Sequence, residues 1–173
     1  MPSTSFTSPT TATNDAGIGT TAWTITSVTN CVCPVDKTTS NYLEMTGYGF
    51  ATPTAASISG IEVSISCGNS GGGLQPDLYA QLLKAGSLAG TSKTLSPLAT
   101  TTFGTTSDLW GATWSEAEVE ASGFGVAIWV VGGSNGNTVN VTGATIRITY
   151  TTGGPSGPPG SSTSGHFLFT WVI

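Results

Sequence analysis

From Thr20 onward the chain reads as a succession of short strands. Ile61, Val63, Ile65 and Cys67 alternate with Glu62, Ser64 and Ser66, a period of two that turns one face inward and the other out. Asn69-Ser70-Gly71-Gly72-Gly73 breaks this run, and Leu78, Ala80 and Leu82 then resume alternation against Tyr79, Gln81 and Leu83. Residues 22–28, with Trp23, Ile25 and Val28 among threonines, carry the β-branched and aromatic side chains that pack on a pleated, half-buried surface. Residues 124–131 are apolar almost throughout, and their length and β-branched content predict a central strand. That run ends at Asn135-Gly136. Both residues tolerate the positive φ of a type I′ turn, so a hairpin is predicted. The returning strand covers residues 138–150, where Ala144, Ile146, Ile148 and Tyr150 alternate with Thr145, Arg147 and Thr149. Gly47-Tyr48-Gly49-Phe50-Ala51 is echoed by Gly123-Phe124-Gly125-Val126-Ala127, which suggests related strands in facing sheets.

Only residues 115–120 read as helical. Ser115 with Glu118 three positions later forms a capping box, and acidic residues near a helix start suit its dipole. Gly123 is expected to stop the helix after about two turns. Short strands, turn signals every eight to twelve residues and almost no helix define the fold class. It is all-β, an antiparallel, jelly-roll-like β-sandwich with one short helical turn and extended N- and C-terminal arms.

Four segments follow. Residues 1–19 are Ser/Thr-rich with Pro2 and Pro9 and read as an N-terminal arm; residues 20–152 form the sandwich. Residues 153–165 are a Gly/Pro/Ser linker whose random-coil reach is roughly 20 Å. Residues 166–173 form an apolar strand or arm. Phe167, Phe169, Trp171 and Ile173 lie on one face of that strand. A strand of this kind left in water is an aggregation hazard. It therefore folds back on its own sandwich or adds to a neighbour's sheet edge, and both alternatives stand at this point.

Composition narrows the function. The chain has 173 residues, with about 30% Ser plus Thr, 8% charged residues and a net charge of −5. This length suits one domain and allows a real core. Four basic residues make no cationic stripe, so nucleic acid is not expected as a partner. The longest apolar run is too short to span a bilayer, so no membrane partner is expected either. The first twenty residues carry no Lys, Arg or apolar core of a secretory signal. Cys31, Cys33 and Cys67 are an odd set. Cys31 and Cys33 point to the same side of an extended chain, and either could meet Cys67. Reduced, partly buried thiols are the simplest expectation, consistent with assembly in a reducing cytosol.

Candidate chemistry is sparse. His166 is the lone histidine, too little for a zinc site or a triad. Glu116, Glu118 and Glu120 read as a solvated, capped turn rather than a glycosidase pair. Gly71-Gly72-Gly73 lacks the Lys and Ser/Thr of a phosphate loop. Asn140-Val141-Thr142 matches a glycosylation sequon inside a strand and is treated as chance. No catalytic, cofactor or metal residues are assigned, and no enzyme is expected. Trp23, Trp129 and Trp171 suit core or interface anchors. Trp110 and Trp114 flank the helical turn, and partial exposure there would make them ligand-facing aromatics for a sugar.

Tyr42-Leu43 running into Thr46-Gly47-Tyr48-Gly49-Phe50, followed by residues 56–63, resembles a jelly-roll-like β-sandwich family of virion structural proteins from tailed bacteriophages and prophages. The resemblance continues at Asp108-Leu109-Trp110-Gly111-Ala112-Thr113-Trp114, at Ser122-Gly123-Phe124-Gly125-Val126 and at residues 139–150. It covers about residues 20–152 and rests on turn glycines and buried aromatics. It implies a non-enzymatic virion component, assembled in the host cytoplasm. The first expectation is a capsid decoration or cement subunit, homo-oligomeric, that binds neighbouring capsid proteins through its arms. The alternative is a tail or fibre module binding a host glycan through exposed aromatics and the loops 69–75 and 132–137.

Overall fold

The computed structural model describes residues 1–134 and 136–152. In chain order its elements are β1 (Thr11–Asp15), β2 (Thr24–Ser27), β3 (Asn30–Val35), β4 (Thr38–Thr39), β5 (Tyr42–Thr46), β6 (Ala56–Ser70), β7 (Pro76–Lys84), β8 (Ser87–Leu95), β9 (Thr101–Phe103), α1 (Glu116–Glu120), β10 (Gly125–Gly132) and β11 (Asn137–Thr152). They form two packed antiparallel sheets, an all-β sandwich. One sheet runs β1-β5-β10-β7-β8 with β4 beside β10; the other runs β2-β3-β11-β6-β9.

The alternating runs behave as a period of two demands. β6 and β11 pair antiparallel from Thr138 opposite Ser70 to Thr152 opposite Ala56. Ile61, Val63 and Ile65 are fully buried against Val139, Val141, Ala144, Ile146 and Ile148. A bulge between Val141 and Gly143 supplies the extra residue that switches the inward positions of β11 from odd to even numbers. β10 is central, with β7 along one edge and β5 and β4 along the other. Val126, Ile128 and Val130 join the core between the sheets. Ala127 and Trp129 are buried as well but stand outside that core, so the strand reads as continuously apolar because both of its faces are covered.

The predicted hairpin is not formed. β10 and β11 lie in different sheets, and the chain passes from one to the other after Gly133; Asn135 lies outside the described residues. β10 and β11 each already have strands on both edges, so the turn residues marked a reversal but not the partner. Gly132 and Gly133, with φ of 82° and 83°, lead the chain out of the sheet. The glycine-aromatic echo is also corrected. β5 and β10 are neighbours in one sheet, paired from Thr46–Gly125 to Leu43–Ile128, rather than strands of facing sheets. Tyr48, Phe50 and Phe124 gather next to that pairing, with ring centroids 5.9–6.4 Å apart. α1 keeps its capping box, Ser115 taking the Glu118 N–H and Glu118 reaching back to the Ser115 N–H. It stops at Ala121, which is extended, so it is shorter than two turns.

Residues 1–19 are not a free arm. Thr4 N–H donates to the Ile148 carbonyl at 2.9 Å, Thr7 and Ile146 exchange bonds of 2.9 and 3.0 Å, and Tyr150 N–H donates to Pro2 at 3.0 Å. β1 then pairs with β5. One segment thus edges first one sheet and then the other, and closes that side of the sandwich. Backbone pairing needs no apolar side chains, and β-branched threonines suit an edge strand. The opposite side is closed by the loop holding Trp110. Ile61 N–H donates to Asp108 O, the Trp110 indole N–H to Ile61 O at 2.9 Å, and Thr91 N–H to Trp110 O at 2.6 Å. That loop ties β6 of one sheet to β8 of the other. Residues 153–173, including Phe167, Phe169, Trp171 and Ile173, lie outside the described residues.

Candidate functional site: the loop end of the sandwich

The two tryptophans expected to face a ligand face the interior. Trp110 is fully buried and Trp114 is 7% exposed. Their indole N–H groups are spent on the carbonyls of Ile61 and Leu109, at 2.9 and 3.0 Å. Trp110 has φ 58°, and its N–H donates to the Asp108 carboxylate at 2.8 Å. Lys93 lies 2.6 Å from Asp108 and 4.9 Å from the Trp110 ring centroid. Lys84 repeats the pattern with Glu118 and the Trp114 ring. A sugar ring cannot stack on either indole. Burial overrode exposure because each indole found a carbonyl that satisfies its one polar atom.

Trp129 is no stacking platform either. On the outer side of its sheet it is wedged between Tyr79, stacked at 5.2 Å and 14°, and Tyr42, edge-on at 5.2 Å and 87°. Its faces are already occupied. Glu44 lies on the adjoining strand β5, and burial, with the charge of Asp15 adding, raises its carboxyl above the ordinary range.

The thiols are separated by the sheet. Cys31 and Cys67 sit opposite Val141 from either side, so their Cα atoms are about two strand spacings, roughly 9–10 Å, apart. That exceeds the roughly 7 Å a disulfide can bridge. Burial pushes the Cys33 and Cys67 thiols up to about 11 and raises Cys31 as well, the last only partly offset by its backbone hydrogen bond. All three are free. Among the described residues no group of three or more His, Cys, Asp or Glu is arranged to hold a metal ion, and no helix is long and apolar enough to cross a membrane.

What the structure does assemble is one end of the sandwich. The β6–β7 loop, residues 71–75, and the start of the crossing segment, residues 132–134, come together there. Leu74 N–H donates to Ser134 Oγ at 2.9 Å, and Ser134 N–H returns a bond to the Leu74 carbonyl at 3.1 Å. Asn137, 1% exposed, sends its side-chain amide to the carbonyls of Leu74 and Ser134 at 2.6 and 2.8 Å. The Asn69 amide in turn reaches Asn137 Oδ1 at 2.9 Å and Gln75 Oε1 at 3.0 Å. Gly73 lies so near the Ser134 carbonyl that a Cβ there would collide with it, which explains the glycine at this position. Lys37, at the β3–β4 turn with φ 55°, donates its N–H to Gly133 at 3.2 Å.

Beside this network opens a cleft of about 600 Å³, lined by Leu74, Asp77, Pro97, Val131 and the glycines Gly132 and Gly133 among others. Leu74 is 74% exposed although both its backbone polar groups are bound. Sequence reasoning named both loops but not their meeting, and it passed over Leu74. A lone leucine between three glycines and Gln75-Pro76-Asp77 was the available signal, because an apolar residue in a polar turn has no local reason to be there.

No protein-family model, curated protein or solved structure matches the chain.

Proposed function

We propose that this chain is a non-enzymatic structural protein of a phage particle, a capsid decoration or cement subunit. It works by adhesion, in the host cytoplasm during assembly and then in the virion. The observation that supports this best is the edge of the β10 sheet. β8 (Ser87–Leu95) is nine residues long with mostly exposed side chains, Leu88 among them at 40%. Among the described residues its outer edge is met at Thr91, by the carbonyl of Trp110. Such an edge accepts an added strand through backbone bonds. The eight residues 166–173 match it in length, and Phe167, Phe169, Trp171 and Ile173 would contribute roughly 1.5–3 kcal/mol gross for each side chain buried, offset by the entropy of ordering the segment. A second support is the pairing of charge on the body, where Lys84, Lys93 and Arg147 are each held by a carboxylate and an aromatic ring.

Deleting residues 161–173 is expected to strip the protein from particles while leaving its melting transition in place; unchanged occupancy overturns the reading. The alternative of a tail or fibre module for a host glycan has lost the faces of Trp110 and Trp114 and would have to act through the loop end.

A further inference from the structure

We propose that the outer face of the β1-β5-β10 region is a docking surface for a partner protein, which sets an arginine side chain beside the ring of Tyr42 and against the carboxylates of Asp15 and Glu44. The inference is independent of the virion reading and of residues 166–173. Three observations carry it. The first is a pattern the chain repeats. Lys84, Lys93 and Arg147 are each held by a carboxylate and an aromatic ring. Arg147 is the fullest case. It stands opposite Glu62 on the neighbouring strand, donates to both of its carboxylate oxygens at 2.8 Å and lies 4.7 Å from the Phe6 ring centroid. On the outer face of the other sheet, Asp15 stands opposite Tyr42, and Glu44 follows two residues along β5 on the same face. The Gly17 N–H holds Asp15 Oδ1 at 2.6 Å, so that carboxylate is fixed before a partner arrives. Carboxylates and ring are in place here, and among the described residues neither carboxylate is in an ion pair.

The second is that the chain has no cation to spare for this place. Three of its four Lys and Arg side chains are committed elsewhere, and residues 153–173 contain neither type. The fourth, Lys37, adjoins Thr38 opposite Gly132, whereas Glu44 faces Ala127. Those positions are about 17 Å apart along β10, beyond the reach of a lysine. Burial, with the charge of Asp15 adding, raises the Glu44 carboxyl, the condition of a carboxylate that lacks a counter-charge. The guanidinium suits two carboxylates beside a ring better than an ammonium, because it is planar and forked. The third observation is Trp129. Trp23, Trp110 and Trp114 each spend the indole N–H on a carbonyl. Trp129 is edge-on to Tyr42 at 5.2 Å and only 7% exposed, and its indole N–H has no partner among the described residues. Such a donor asks for a carbonyl. A protein segment brings one with its arginine; a metal ion or a polyamine does not. The opposite face of the sandwich is spent by comparison, with Glu62 already on Arg147 and Ser64 opposite Thr145.

The test is an NMR titration of the full chain with a blocked peptide in which arginine alternates with threonine. The amides of Asp15 and Glu44 and the Trp129 indole N–H should shift together, saturating in the millimolar range and less readily as salt is raised. The same peptide with glutamine in place of arginine should leave them still. Glu44→Gln should weaken binding about fivefold while melting stays level or rises, because the substitution relieves repulsion from Asp15. Asp15→Asn, which can keep the bond to Gly17, should act in the same way. No shift at these residues, an equal response to the glutamine peptide, or wild-type binding by both variants overturns the proposal. So does a clear fall in melting for both, since the carboxylates would then serve the fold. A matching response to calcium chloride or spermidine alone also overturns it, because a small cation would then be the ligand.

Discussion

The two long sides of this sandwich are closed by opposite chemistries. On one side the Trp110 loop inserts a fully buried indole, fixes its N–H on Ile61 and holds Lys93 between Asp108 and the ring. On the other side residues 2–15 bury Pro9 and part of Ala12 but no large apolar side chain; Phe6, at 41% exposed, lies over Arg147 rather than in the core. That side is closed by backbone bonds to Ile146, Ile148 and Tyr150 and by β1 on β5. The contrast shows that closing a sandwich requires its edge amides to be satisfied, and that apolar burial is one of two ways to bring the satisfying group into place.

Four changes break or sharpen that contrast. Trp110→Ala should be the most damaging, costing about 3–5 kcal/mol as expected for a large core aromatic, read by urea unfolding; a loss below about 1 kcal/mol would mean the indole closes nothing. Removing residues 1–7 should cost less, about 1–3 kcal/mol from several net hydrogen bonds of roughly 0.5–1.5 kcal/mol each. Its signature should be local, with hydrogen exchange accelerated at the Ile146, Ile148 and Tyr150 amides and unchanged along β7.

The third change concerns acid. Burial raises the Asp108 carboxyl, but the hydrogen bonds from Lys93 and the Trp110 N–H, with the Lys93 charge, outweigh it and bring the group below its ordinary 3.8. A lowered folded value means stabilisation that is present above pH 3.8 and disappears as pH falls below it through the folded value. Wild-type melting temperature should therefore drop faster below pH 4 than that of Asp108→Asn; equal slopes would show that the ion pair adds nothing to the aromatic side. The smallest effect belongs to Ser115→Ala beside Trp114, at the low end of the ~0.5–2 kcal/mol of a lost cap, seen as a small shift in thermal melting.

How much of this was legible follows from what each signal encodes. The inward faces of β6, β7 and β11 were readable because burial writes itself as a period of two, and the α1 start because Ser115 and Glu118 satisfy each other locally. Strand partners were not readable. Asn135-Gly136 announces a reversal equally well whether the chain returns to the same sheet or crosses to the other. The strap over residues 2–7 left no trace, because its bonds are made by backbone that every residue carries. Trp110 and Trp114 were noticed but placed outside, since nothing in their neighbourhood reveals that Ile61 and Leu109 hold carbonyls within reach. The loop end was half visible: its glycines and asparagines were evident, while the network joining Asn69, Asn137 and Leu74 spans 68 positions.

The burial of the cysteines has a practical consequence. With Cys33 and Cys67 raised from 9.0 to about 11, the reactive thiolate at mildly alkaline pH is about a hundredfold scarcer than in an open chain. Alkylating reagents added to the native protein should therefore react slowly, and with Cys31 and Cys33 at the pace at which the β11 sheet opens. Cys67, beside the short edge strand β9, should be modified first, and Cys31 and Cys33, at 0% exposure, only when the whole sheet separates. Three thiols packed in or against the core thus record, as a sequence of chemical labels, the order in which it comes apart.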